Sequence, residues 1–566
     1  MSRWRMTPLL ALLPILLSCS SPPEYQIVLK GGTVYDGSGN APFVGDLAID
    51  GDTIAAVLGY GTDGGDQGLR GITEIDVSGM AVSPGFINML SWANESLLED
   101  GRGESDLVQG VTLVVMGEGW SMGPLNNAMK AEMLEDQGDI QFDVAWTSFG
   151  GYLDHLVERG VSPNVASFVG ATTVRIYELG YEDRAPTPEE LDRMKALVRA
   201  AMEEGAVGLG TSLIYAPAFY ADTEELIALA SAAGEYGGMY ISHMRSEGNA
   251  IMTAVEELIT IAREAGVAAE IYHLKAAGQD NWPRLDDVIR KVESARAEGL
   301  RITADMYTYT AGATGLDAAM PPWVQEGGDQ AWIARLQDPA IRRQVIREMR
   351  TPTDEWESLY LAAGSAENVL LVGFRADELK PLTGKTLAEV ASERGVTPED
   401  AAVDLLIANG ADVSTVYFLM SEENVRKKIA LPWISFGSDA EALSPEGVFL
   451  ESNPHPRAYG NFARLLGRYV RDEGVIPLEE AVRKLTSQPA ANLGLRGRGS
   501  LEPGFYADVV VFDPETVRDE ATFAEPHRLA EGVAHVFVNG THTVRDGAHT
   551  GALAGRVVRG PGWTGN

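Results

Sequence analysis

Two periodicities divide the chain. Residues 25 to 80 alternate short apolar runs with turn signals: Tyr25 to Leu29, Gly31-Gly32, Asp46 to Ile49, Asp50-Gly51, then Thr53 to Leu58. Short runs broken by Asp-Gly turns predict antiparallel strands. The pattern returns near the other end, where Ala507 to Phe512 closes at Asp513-Pro514 and His535 to Val538 at Asn539-Gly540. Neither stretch can close a core alone, so 24–80 and 491–566 are expected to combine into one small β-sandwich. Between them continuous apolar runs recur, each followed by a helical stretch. They are Val82 to Met89, Val111 to Met116, Val165 to Val169, Val207 to Leu209, Met239 to Ile241, Ala268 to Tyr272, Ile302 to Ala304 and Trp433 to Phe436. Strands apolar on both faces and alternating with helices predict a parallel sheet. Eight of them predict an α/β fold, a (β/α)₈ barrel over 81–490. Asp143 to Thr147 is a ninth run, placed outside the cylinder. Helices are expected over Pro188 to Glu203, capped by Thr187, and over Asn249 to Glu264. Residues from about 330 to 425, largely charged and helical in pattern, read as an insertion on the catalytic face.

Composition narrows the function classes. Of 566 residues, 45 are Lys or Arg and 81 are Asp or Glu, a formal charge of −36 that repels nucleic acid phosphates. Arg3 and Arg5 precede an apolar stretch from Leu9 to Leu17, too short to span a bilayer, and Leu16-Leu17-Ser18-Cys19 looks like a bacterial lipobox. Cys19 is the chain's one cysteine. Residues 1–23 therefore read as a lipoprotein signal peptide and linker. The body is expected to be exported and to meet a membrane only through a lipid on Cys19.

In such a barrel, chemistry sits where strands end. Met239-Tyr240-Ile241-Ser242 ends at His243, and Glu270-Ile271-Tyr272 ends at His273, about one β/α unit later. A lone strand-end histidine is most often a hydrogen-bonded structural residue. Two at one-unit spacing place adjacent imidazoles on one rim, half of a site for zinc or a similar ion. Trp433 to Phe436 leads to Gly437-Ser438-Asp439, whose carboxylate suits a general base or a turn cap. Glu118, in Met116-Gly117-Glu118-Gly119, is the ionisable residue at the second strand's end, a third ligand or a solvated loop glutamate.

The phrases Tyr240 to Glu247, His273-Leu274-Lys275, Asp305 to Tyr309, Gly437-Ser438-Asp439 and His455 to Gly460, with the tail from Thr486 onward, resemble those of the N-acyl-D-amino-acid deacylase (D-aminoacylase) family of amidohydrolases. The resemblance spans nearly the whole chain after residue 23. It implies that His243 and His273 hold a metal and that Asp439 is the general base, then proton donor. It also implies that Lys275, Tyr215, Tyr307 and Arg457 grip the substrate's carboxylate or carbonyl oxygen. The first-strand His-x-His of the family is absent, because Leu90 and Trp92 stand there. The family's second-strand cysteine gives way to Glu118-Gly119, and a further histidine to Ala171.

One metal, taken as a single Zn²⁺ on His243, His273 and Glu118, remains possible. The expected activity is hydrolysis, by a metal-activated water, of an N-acyl amino acid, most naturally an N-acyl-D-amino acid, or a related carboxylate-bearing amide. A cyclic-amide or dipeptide hydrolase is an alternative. So is a decayed amidohydrolase-fold lipoprotein that only binds ligands.

Overall fold

The computed structural model describes residues 24–61 and 68–565; the expected lipobox at Cys19 lies outside them. Eight parallel strands form the centre. They are β1 (Phe86–Asn88), β2 (Val111–Met116), β3 (Asn164–Ser167, continued by Val169–Gly170), β4 (Gly208–Ser212), β5 (Met239–His243), β6 (Ala269–Ile271), β7 (Ile302–Met306) and β8 (Ile434–Phe436). Each pairs with the next in parallel register. The cylinder closes where Met89 N–H donates to Phe436 O at 3.1 Å and Ser91 bridges Ala440 in parallel. All eight expected runs contribute a strand, while residues 143–147 form none.

The first run is divided. Ala81–Pro84 pairs antiparallel with Val509–Phe512 in a different sheet, and only Phe86–Asn88 enters the barrel. Gly85 marks the handover: a Cβ there would run into the Thr112 side chain, so the backbone crosses where only glycine fits. The helix over Pro188–Glu203 starts as its sequence predicts. Thr187 Oγ1 accepts from Glu190 N at 3.3 Å and Thr187 N donates to Glu190 Oε2 at 2.7 Å, a reciprocal capping box. It buries Met194, Val198, Ala201 and Met202. The next expected helix runs over Ile251–Ala265.

Strands from both ends of the chain form one nine-stranded sheet. Arg70–Asp76 and Ala81–Pro84 pair parallel to Glu24–Val34, so the sheet is mixed where the turn pattern predicted antiparallel strands alone. A bridge between Thr53 and Tyr506 brings its edge back on itself, curling it over Leu47, Ile49, Ile54, Val509, Val511 and Phe537. The alternate residues Val510 and Phe512 join the barrel's core, as the period of two requires. Beyond this sheet the backbone runs under the barrel. Val165 N–H donates to Arg556 O at 3.0 Å, Val558 N–H to Val165 O at 2.8 Å, and Gly560 N–H to Gly205 O at 2.8 Å.

The insertion starts earlier than expected and is not helical throughout. Ala311–Gly315, Val369–Phe374 and Val413–Phe418 form a three-stranded antiparallel sheet. Helices such as Asp329–Gln337 and Pro398–Ala408 share a core with it through Leu336, Leu405 and Tyr417. Among the described residues no helix is long and apolar enough to cross a membrane.

Candidate metal centre and active site

The strand ends bring every sequence-selected site residue in the described chain to one rim. His243 ends β5 and His273 lies two residues past β6, with ring centroids 4.4 Å apart and planes at 86°. Glu118 follows β2 between Gly117 and Gly119, both at positive φ. A Cβ on Gly117 would strike Phe168's carbonyl and one on Gly119 the Ser212 side chain, so the two glycines let Glu118 pass close to β3 and β4. Glu118 Oε1 lies 3.0 Å from His243 Nδ1 and 2.8 Å from His273 Nε2. One oxygen and two nitrogens from these residues lie within 4.8 Å of one another, and all three side chains are buried.

The outer nitrogens converge on a residue the sequence reading passed over. Glu247 Oε1 is 3.0 Å from His273 Nδ1, and Oε2 is 3.6 Å from His243 Nε2. Each ring thus turns one nitrogen toward Glu118 and the other toward Glu247. One carboxylate thus stands behind both imidazoles, and His273 Nδ1 also lies 2.7 Å from Lys275 Nζ. Glu247 also holds Lys275 Nζ at 2.7 and 2.8 Å. Its loop is gripped by the insertion, since Glu357 Oε2 accepts from Gly248 N and Ser246 Oγ, each at 2.9 Å. The signal was present in the sequence: Glu247 sits four residues past His243, inside the same distinctive phrase.

Asp439 stands beside this cluster. Its Oδ1 accepts from Trp92 Nε1 at 3.2 Å, and the same indole N–H reaches Glu118 Oε2 at 3.0 Å. Arg457 NH1 lies 2.7 Å from Oδ2. Two backbones here are left-handed, His273 at φ 35° and Asp439 at φ 51°. Such conformations persist only where the surroundings fix them. Asp439 N–H is held by Leu90 O at 2.9 Å, and Asn88 binds the backbone N and the Oγ of Ser438, both at 2.8 Å. His273 N–H donates to Asp305 Oδ1 at 2.9 Å.

Arg457 is set by a turn in which His455 Nδ1 accepts from Arg457 N, while Nε2 donates to Ala311 O, both at 3.0 Å. The guanidinium lies 4.5 Å from the Tyr307 ring centroid. Neither its Nε nor its NH1 makes an aligned hydrogen bond, and the buried Tyr307 hydroxyl makes none. Tyr215 stands edge-on to His243 at 5.2 Å. Lys275 and Arg457, expected to grip a carboxylate from outside, are therefore already paired with Glu247 and Asp439.

Electrostatics follow from burial and crowding. Burial and Lys275 oppose protonation of His273, but Glu247, Glu118 and Asp439 outweigh them and raise it to about 10. Burial alone would raise Glu118, yet the two histidines bring it down to about 2. Burial raises the Asp439 carboxyl above its usual range, against the pull of Arg457 and His273. Two imidazoles and a carboxylate form a donor set suited to zinc, three protein ligands leaving a position open.

The comparisons with known proteins agree with this architecture. Residues 73–544 match an amidohydrolase family. A D-aminoacylase of Alcaligenes xylosoxydans xylosoxydans is 35% identical over 546 residues, 96% of this chain and 99% of that protein. A solved D-aminoacylase structure, whose binuclear metal centre shows one-metal activation and second-metal attenuation, matches with a TM-score of 0.78. It is 34% identical, over 94% of this chain and 100% of that one. An N-acyl-D-glutamate deacylase from Bordetella bronchiseptica, complexed with zinc and a phosphonate mimic of the tetrahedral intermediate, gives 0.75 at 29% identity. There the match covers 95% of this chain and 100% of that one.

Proposed function

This chain belongs to the amidohydrolase family, in its N-acyl-D-amino-acid deacylase branch, and we propose that it hydrolyses the amide bond of an N-acyl-D-amino acid with one zinc ion. Glu118, His243 and His273 would hold the ion. One observation carries the reading: a buried histidine pair and a carboxylate converge on one point, next to a carboxyl that burial has lifted out of its usual range. A divalent cation there supplies Lewis acidity toward water and the amide carbonyl.

The chain's own residues do the rest. Asp439 takes the proton of the attacking water and returns it to the leaving nitrogen; its raised affinity for protons suits both steps. Trp92 and Arg457 fix one carboxylate oxygen each. The donors with no partner, Arg457 Nε and the Tyr307 hydroxyl, offer what an α-carboxylate or a carbonyl oxygen accepts. That supports a substrate carrying both groups. Lys275 neutralises Glu247 and keeps the carboxylate behind the histidines ionised.

The test is a zinc-reconstituted preparation assayed for free amino acid against paired N-acetyl-D- and N-acetyl-L-amino acids. Turnover of D substrates, lost together with zinc in a His243→Ala/His273→Ala variant, is expected. A protein that retains no divalent metal, or cleaves no member of the panel, would refute the proposal. Export and acylation at Cys19 complete the reading. Incorporation of labelled palmitate by the full chain in a bacterial host, abolished by Cys19→Ser, is the check.

A further inference from the structure

We propose that Trp92 makes this a one-cation site and acts as a positioning residue for Asp439. The inference rests on the function proposed above. Glu118 Oε2 and Asp439 Oδ1 both aim at one point, and the indole nitrogen occupies it, 3.0 Å from the first and 3.2 Å from the second. Two carboxylate oxygens sharing one small space repel each other unless something positive lies between them. A divalent ion is one solution, and a shared N–H donor is another. This chain uses the donor.

The surrounding residues favour the same conclusion. Leu90, two positions earlier on the same strand extension, is fully buried and offers no ligand atom. Trp92 cannot drift from its post. Its backbone N–H donates to Ala440 O at 3.0 Å, and Asp439 N–H donates to Leu90 O at 2.9 Å, so the ends of β1 and β8 are laced together around the indole. The ring is thus fixed relative to the carboxylate it holds. The remaining Asp439 oxygen faces Arg457, so the carboxylate has one donor on each oxygen and little freedom to rotate.

The contrast is with the matched D-aminoacylase, which has a binuclear centre with second-metal attenuation. In this chain the space between the base and the nearest ligand carboxylate holds an indole. Added zinc therefore has no second place there and does not attenuate turnover.

Zinc stoichiometry by equilibrium dialysis tests the first half. Wild-type protein should saturate at one zinc per chain and stay there in tenfold excess. Trp92→His, which removes the bulk and adds an imidazole beside the two carboxylates, should take up a second equivalent. Wild-type protein binding two would overturn the inference, as would Trp92→His stopping at one. Wild-type protein binding none would overturn the proposed function together with it, so the two failures are distinguishable.

Trp92→Phe tests the second half. It keeps an aromatic ring but loses the donor and part of the indole's volume. It should retain one zinc and change KM by less than about threefold, while kcat falls about ten- to a hundredfold, the worth of one hydrogen bond to a charged group. A kcat within twofold of wild type, or a rise in KM that accounts for the whole loss, would remove Trp92 from the positioning role.

Discussion

Asp439→Asn separates chemistry from architecture better than any other single change at this site. The backbone at 439 is left-handed, φ 51°. Asparagine enters that region more readily than most residues, whereas alanine would add about 1–2 kcal/mol of local strain. An Asn side chain can still present an oxygen to Trp92 Nε1, now 3.2 Å from Oδ1. Two things are lost: the ability to take a proton, and the counter-charge 2.7 Å from Arg457 NH1. Losing a general base costs roughly 10²- to 10⁴-fold in rate, about 2.7 to 5.5 kcal/mol in the barrel's transition-state stabilisation. Because Arg457 is only 3% exposed, stranding its charge adds a stability penalty of up to about 3–5 kcal/mol. The assay is therefore kcat/KM on zinc-loaded protein, with zinc content and thermal inactivation measured on the same samples. The expected variant holds one zinc, inactivates at a lower temperature, and turns over at least a hundredfold more slowly. A zinc-loaded Asn variant within tenfold of wild type would show that Asp439 is not the base.

Further expectations follow from neighbouring contacts. Glu247→Gln should weaken zinc affinity about 10- to 100-fold, as loss of an outer partner of metal-bound histidines does. Adding Lys275→Met should recover part of that loss, because each single change strands a buried charge; strictly additive losses by chelator competition would contradict the pairing. Glu225→Gln leaves the buried Arg175 guanidinium without its carboxylate and should cost about 3–5 kcal/mol; an unchanged thermal midpoint would disprove this. Asp106, with Asn88 donating to one oxygen and nothing to the other, is pushed up to about 7 by burial. A raised carboxyl contributes stability below its unfolded pKa of about 4 that is lost as pH climbs toward 7. Asp106→Asn should therefore gain on wild type more at pH 8 than at pH 5, as read from thermal midpoints, and an equal offset at both would count against it.

Much of this fold is visible in the sequence because burial on two faces leaves an unmistakable trace. Val111 to Met116 and Met239 to Ile241 have no polar face to show, and they are barrel strands. The Thr187/Glu190 box fixes a helix start through local chemistry alone. What escaped were features decided by three-dimensional context. Val369–Phe374 and Val413–Phe418 are apolar and rich in β-branched residues, yet their helical, charged surroundings mask them. The division of the first run at Gly85 depends on Thr112 lying across it.

At the site, spacing along the chain locates histidines at strand ends but says nothing of what stands behind them. Glu247 showed there only as a carboxylate four residues past His243, and the indole of Trp92 was invisible as a partner. In the sequence, Trp92 stands out for the ligand atom it lacks. The donor it offers becomes apparent once Glu118 and Asp439 are seen to flank it.

The run of backbone around Arg556 and Val558, hydrogen-bonded to Val165 beneath the barrel, carries a lesson for biosynthesis. A ribosome delivers the catalytic rim, from Glu118 to Arg457, about a hundred residues before the segment that seals the opposite end. The nascent chain must therefore shelter an unfinished underside, and the edge of Ala81–Pro84 that will receive Val509–Phe512, until synthesis is nearly complete. In that interval exposed strand edges invite wrong partners.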